Sequence, residues 1–406
     1  MNVRRSAAAL AAIGVLAAAA PATAAGRPPA SSPSPKAAIP SGLYGTTDPT
    51  YDGVWRQSLT LIAQRTLGYR PAPAAVDWLA GQQCANGAFA AFRADPARAC
   101  DSKVTVDTNS TAAAVQALQA VGGHGGAVEK AVHWLKSVQN KDGSWGLYPG
   151  GTGDANSTSV VIGALSANGT DPADVRTSGK SPYDALAAWS VPCDQDGGGA
   201  LAYQPDKKGK LVANADATAA GVLGALGKGF VAQAGKPPAH DTCTKGGHPT
   251  PAQIADNGGA YLASALAKTG HLMSTLPGAT DQPDFGNTAD AVVALAADGR
   301  VEQAKKAYGW LEKHASPWAA QSGPAAYAEL ILAAHAVGAQ PGDFGGTSLV
   351  HSLNTLGPAP HMSAEQQEKK KSDDNSTFGV WWFVGVCLVA GIGVGFLLSG
   401  RKKRQP

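Results

Sequence analysis

Between residues 41 and 360 the apolar positions recur at helical spacing. Ala131, Trp134, Leu135 and Val138 fall on one side of a helix, with Lys130, His133 and Lys136 between them. Short glycine-rich stretches separate such runs, and no strand-like alternation of comparable length competes with them. The pattern predicts an all-α body.

The predicted helices come in pairs. Trp78-Leu79, followed by Gln83, Gly87 and Phe89, is matched at the same internal spacing by Trp134-Leu135, Gln139, Gly143 and Trp145. Weaker echoes begin at Trp189, with Asp194 and Gly198 in the glutamine and glycine places, and at Trp310-Leu311; Tyr261-Leu262 fits the copy between them. After each glycine-rich loop a second motif opens another helix: Asp107 to Thr111, Asp154 to Thr158, Asn214 to Thr218 and Asp284 to Thr288. Asp, Asn, Ser and Thr are favoured there because their side-chain oxygens accept the free N–H groups of a first helical turn. The unit is a helix, a glycine-rich loop and a capped helix, of roughly 50 to 70 residues.

The spacing Trp-Leu-x3-Gln-x3-Gly-x-Trp resembles the QW repeat of the squalene-hopene cyclase and prenyltransferase superfamily. The paired helices are similar to the α/α toroid shared by those enzymes, complement thioester domains and the cobalamin carriers. The resemblance covers residues 41–360 and implies two concentric helix rings of about five or six hairpins, with the capped helices inside. A hairpin that cannot bury both faces alone is buried by its neighbours when the ring closes.

The family's chemistries lack their residues here. A cyclase acid needs an Asp-x-Asp-Asp run, and the body has none; Asp373-Asp374 lies beyond it. The zinc-holding Asp-x-Cys of prenyltransferases is replaced by Asn214-Ala215-Asp216, and no Gly-Cys-Gly-Glu-Gln thioester segment exists. His133, His314 and His335 stand without catalytic partners in the sequence. We therefore assign no catalytic residue, no metal ligand and no required cofactor, and the resemblance alone admits a cobalamin-like ligand.

In a closed ring the inner-helix N-termini share one mouth, where their partial positive ends converge. Asp107, Asn109, Asp154, Asn156, Asn214, Asp216, Asp284, Asn287 and Asp290 would rim it, with Tyr148, Tyr203 and Phe285 alongside. Two readings apply to these residues: ordinary capping, and contact with a small molecule, peptide or glycan. Gln139 and Trp145 read as anchors of the repeat rather than as chemistry.

The flanks predict an address. Residues 1–25 have Arg4 and Arg5, an Ala-rich apolar run and Ala22-Thr23-Ala24, the layout of a secretory signal. Residues 26–40 read as a flexible lead-in and 361–377 as a polar stalk. Residues 378–398 carry no charge and would reach about 30 Å as a helix, enough to cross a bilayer. Arg401, Lys402, Lys403 and Arg404, in the tail 399–406, favour the cytoplasmic side. The prediction is a single-pass protein of the cell membrane with its body outside.

Cysteine and charge sharpen this only slightly. Cys387 falls in the span, which leaves Cys84, Cys100, Cys193 and Cys243, an even number in an oxidising compartment. Three disulfide pairings are open, of which Cys84 with Cys100 and Cys193 with Cys243 closes the shortest loops; zinc is the rival, without metal-ligand spacing. A net charge of +3 over 406 residues excludes a strong basic field and hence nucleic acid as a partner. The sequence therefore predicts a membrane-anchored extracellular binding module, with an enzyme on a lipid-like substrate or a non-catalytic scaffold as alternatives.

Overall fold

The computed structural model describes residues 39–275 and 282–362. The predicted signal segment, the span 378–398 and the basic tail lie outside the described residues. Among the described residues no helix is long and apolar enough to cross a membrane. The chain divides into a larger unit, running to Leu67 and from Pro71 to Pro360, and a small one of Gly68–Arg70 with the segment from His361. The small unit holds one antiparallel ladder, β1 (Tyr69–Arg70) with β8 (His361–Met362), in which Tyr69 faces Met362.

The larger unit is built from helices. In chain order they are α1 (Gly53–Thr66), α2 (Pro73–Gly81), α3 (Thr108–Val121), α4 (Gly125–Ser137), α5 (Ala155–Ala167), α6 (Pro182–Ala188), α7 (Ala215–Ala225), α8 (Pro251–Leu266), α9 (Phe285–Ala297), α10 (Val301–His314), α11 (Ser316–Ser322), α12 (Pro324–Val337) and α13 (Leu349–Asn354). Helix α1 packs on α3, α3 on α5, α5 on α7, α7 on α9, α9 on α12, and α12 returns to α1. These six close an inner ring. Helices α2, α4, α6, α8, α10 and α13 pack outside it against the inner helices they neighbour in sequence. The arrangement is that of an α/α toroid.

Composition explains which helices go inside. Helices α3 and α5 are Ala-rich, and residues 108–118 of α3 are all buried. Small side chains let inner helices approach closely on both flanks. Outer helices are one-sided: in α4, Val128, Ala131, Val132 and Leu135 are buried while Glu129, Lys130 and His133 face solvent. Proline in the first turn and the capping boxes Ser181–Asp184 and Thr250–Gln253 start α6 and α8.

The repeat motif is a set of staples. Gln83 Nε2 donates to the carbonyls of Gly87 (3.0 Å) and Ala127 (2.7 Å), and Gln139 Nε2 to those of Gly143 (2.8 Å) and Val175 (3.1 Å), joining each loop to the following repeat. Trp145 is fully buried, with its indole N–H on Leu135 O at 2.7 Å. The structural reading of Gln139 and Trp145 thus agrees with their contacts. In the third copy the glycine in register is Gly199, not Gly198: Gly87, Gly143, Gly199 and Gly270 all have positive φ and stand two residues before Phe89, Trp145, Leu201 and Leu272. One extra residue after Trp189 shifts the register.

The threonine of each second motif makes a matching staple. Thr111, Thr158, Thr218 and Thr288 hydroxyls accept the N–H groups of Phe89 (2.9 Å), Trp145 (3.1 Å), Leu201 (2.9 Å) and Leu272 (3.0 Å), so each inner helix is pinned to the loop of the preceding outer one. Three of these junctions widen into two-residue ladders: β2 (Phe89–Ala90) with β3 (Val106–Asp107), β4 (Leu201–Ala202) with β5 (Ala213–Asn214), and β6 (Leu272–Met273) with β7 (Pro283–Asp284). Replacing Thr158 by Val keeps the shape but orphans a buried N–H, at a cost of about 1–3 kcal/mol. Chemical denaturation followed by tryptophan fluorescence should register that loss.

Disulfides join Cys84 to Cys100 and Cys193 to Cys243, the local pairing, each with a Cα separation of 5.6 Å. Behind the ring, Arg300 is almost fully buried: its guanidinium pairs with Asp298, reaches Asp256 Oδ1 at 3.1 Å and donates to His240 O at 2.6 Å. This one side chain ties the C-terminal end of α9 to α8 and to the loop before it.

Candidate functional site

The capped starts of the inner helices meet at one end of the ring. Thr108 N–H donates to Leu147 O (2.9 Å) ahead of α5, and Ala155 N–H donates to Tyr203 O (2.9 Å) ahead of α7. Asp107 Oδ1 accepts Ser110 N–H at 2.6 Å, Asp154 Oδ1 accepts Ser157 N–H at 2.7 Å, Asn214 Oδ1 accepts Ala217 N–H at 2.8 Å, and Asp284 Oδ1 accepts Asn287 N–H at 3.1 Å. These four are helix caps. Asn287 adds its amide to Asp284 Oδ2 at 2.7 Å and so serves the cap.

Asp216 is different. Asn214 caps α7, and Asp216 stands two positions further on, where α3 has Asn109, α5 has Asn156 and α9 has Gly286. The reading of Asp216 as a cap is therefore corrected. The Asn156 side chain acts on Asp216 and pulls its pKa down. Asp216, Asp284, Asp290 and Glu329 lie close enough that each of the others raises the pKa of Asp290 or Glu329. Asp154 stands beside Tyr203 and also acts on Asp216.

Asp290 and Glu329 define a recess. Asp290 is exposed although Ala289 and Ala291 on either side are buried, and Glu329 is half-buried between Ala328 and Leu330, both buried. Their side chains touch solvent while protein surrounds them. Removal from bulk water, then the neighbouring carboxylates, pushes Asp290 up to about 7 and raises Glu329 well above the usual range. Burial pushes Asp216 up to about 6, against the pull of Asn156, and Asp107 up to about 6 against its capping bonds. Asp154 rises by burial too, while Tyr203 is raised by burial and then by Asp154.

The remaining candidates divide. Phe285, the first residue of α9, stacks between Trp310 (5.3 Å between ring centroids) and Trp318 (5.6 Å), and His271 lies on Trp310 at 4.0 Å. Asn109 is buried at the start of α3, with its Oδ1 unpartnered. Tyr148 is half-exposed in a turn closed by Gly151 N–H on its own carbonyl, 2.9 Å. Glu329 was absent from the sequence-derived set. Its signal was available: it is the only Asp, Glu, Lys or Arg in the run Pro324–Val337, which is otherwise mainly Ala, Leu and Ile. Among the described residues no three His, Cys, Asp or Glu side chains converge as a metal site.

The acids give the folded chain a pH signature. Raised folded pKa values mean that the native state holds protons more tightly than the unfolded chain between about pH 4 and 7, so stability falls as pH rises through that window. His335, lowered by burial, opposes this at the acid end. Thermal melting should therefore be lower at pH 8 than at pH 5.5, at about 2–4 °C per kcal/mol, and the difference should shrink in the Asp290→Asn variant.

No protein-family model matches the chain, and no curated protein sequence matches it. Among solved structures similar in fold, ent-copalyl diphosphate synthase from Streptomyces platensis shares 16% identity over 70% of this chain and 50% of that one, at a TM-score of 0.46. A protein from Actinoplanes shares 15% over 73% and 94%, at 0.47, and a sugar epimerase from a ruminal bacterium 15% over 68% and 81%, at 0.42. The chain spans half the length of the first of these. At such identities and TM-scores the likeness is one of helical architecture alone.

Proposed function

We propose that this protein is a membrane-anchored extracellular binding module that takes a small ligand, or the end of a peptide or glycan, at the toroid mouth. The observation that supports the reading best is Asp290, an exposed carboxylate amid the buried residues of an inner helix. A ring plugged by its own side chains would bury it. The secretory signal, the uncharged span 378–398 and the basic tail supply the address, and the two disulfides suit an oxidising compartment.

Native mass spectrometry of the full-length chain purified from its own host tests the binding role. A retained molecule lost on replacing mouth residues supports it; an empty protein with unchanged surface partners favours the scaffold. Protease treatment of intact cells tests the address and should remove the body while leaving the C-terminal tail protected. Asp290 also favours a second reading. With a pKa pushed up to about 7 it keeps a proton near neutrality, as an acid catalyst acting on a lipid-like substrate would require. Turnover of the retained molecule by the purified chain, abolished in Asp290→Asn, would establish that alternative.

A further inference from the structure

We propose that the recess of Asp216, Asp290 and Glu329, with Asn156 on its wall, binds the primary ammonium group of an organic cation. The inference rests on the mouth being a binding site and names the chemistry it selects. Apart from the neutral Asn156 side chain and the Tyr203 hydroxyl beside Asp154, the groups acting at this point are acids: Asp154, Asp216, Asp284, Asp290 and Glu329. Among the described residues, no lysine, arginine or histidine acts on Asp216, Asp290 or Glu329. Like charges gathered without a counter-charge are costly, and a bound cation removes that cost.

A second observation points the same way independently of the charges. Asn156 is only 4% exposed, its side chain acts on Asp216, and its Oδ1 is buried with no donor. A buried acceptor without a partner calls for a donor from outside the chain. An ammonium group has three N–H donors and one charge, so it can serve a carboxylate and this carbonyl oxygen together. The carboxylates do not converge as metal ligands do, which fits a polyatomic cation held by hydrogen bonds.

Gly286 opens the way in. It occupies the position filled by Asn109, Asn156 and Asp216 in the other inner helices, and a Cβ there would lie 3.5 Å from Glu329 Oε2 and 3.6 Å from the Trp318 ring. Those are ordinary contacts, so a larger side chain at 286 fits the backbone and occupies the space beside Glu329.

The test is calorimetric titration of the full-length chain in detergent at pH 8 and low salt. The probes are cadaverine, the isosteric neutral 1,5-pentanediol, and a short peptide with one free lysine. Saturable heat from cadaverine or the lysine peptide, with none from the diol, is expected, and the stronger of the two binders tells a free amine from a protein side chain. Affinity should fall at least tenfold in Asp290→Asn/Glu329→Gln and in Gly286→Leu, and stay unchanged in Glu129→Gln on the outer surface. The double variant should melt no lower than the parent, which separates lost binding from lost fold. Equal binding of diol and diamine, or undiminished diamine binding in the double variant, would overturn the cation assignment. A neutral or anionic molecule found in the mouth by native mass spectrometry would also overturn it while leaving the mouth as the binding site.

Discussion

Replacing Gly143 by Ala should cost about 2–5 kcal/mol, a large share of the stability of an ordinary folded domain. Two terms add. The residue has φ of +87°, where a side chain costs roughly 1–2 kcal/mol. Its Cβ would also stand 2.2 Å from the carbonyl oxygen of Ser181, a backbone atom at the N-cap of α6. Backbone cannot rotate aside as a side chain can, so α6 must shift, and overpacking of this kind costs about 1–3 kcal/mol more. Gly150→Ala is the matched control: its φ is +73° with nothing within 4 Å of the added atom, so only the conformational term remains. Urea denaturation of the two variants should separate the terms, and equal losses would show that the close approach to Ser181 carries no strain.

A loss of similar size is expected for Arg300→Met. Met fills much of the volume but leaves Asp298, 8% exposed, beside Asp256 with no cation. Removing one partner of a buried pair typically costs about 3–5 kcal/mol, because the other charge stays behind. Asp298 already sits at about 7, raised by burial despite Arg300, so without the arginine it takes up a proton more readily. Protonation relieves the unpaired charge, so the variant should lose less at pH 6 than at pH 8. Adding Asp298→Asn should recover part of the loss at pH 8. A cost independent of pH would mean that packing, not charge, is what Arg300 supplies.

Much of this architecture was legible in the sequence because it repeats. Helical spacing marked the elements, and the Asp-x-x-x-Thr openings of α3, α5 and α9, with the Asn-x-x-x-Thr opening of α7, marked four of the inner helices. Helices α1 and α12 escaped that signal for a physical reason. They close the ring and so meet different neighbours. In α1 the polar Arg56, Gln57 and Gln64 are buried and bonded to segments outside α1: Gln57 holds Tyr44 N–H and the Gly42 and Ala75 carbonyls, Gln64 reaches Asn354 Oδ1 at 2.9 Å, and Arg56 reaches Thr47. Sequence periodicity cannot distinguish such residues from a solvated face.

The site was legible in outline only. Capping chemistry marked the end of the ring where the candidate site is placed, but it grouped Asp216 with the caps because all these residues share the same three or four positions. Asp290 was among the sequence candidates, whereas Glu329 lies in the middle of α12, where capping chemistry says nothing of an acid and only its isolation in an apolar run marked it. Their meaning comes from the helices that surround them, which one helix's own sequence does not contain.

The contact between α12 and α1 sets this body apart from an open stack of the same hairpins. In an open array the terminal repeats can peel away, and stability grades from the middle outward. Here each inner helix has two inner neighbours, so there is no end from which fraying can start. Opening any one hairpin breaks both flanking contacts, and the loss is shared around the circle. Amide exchange in the inner helices should then report one common, global event, and the acids at the mouth would keep their mutual distances until the whole body comes apart.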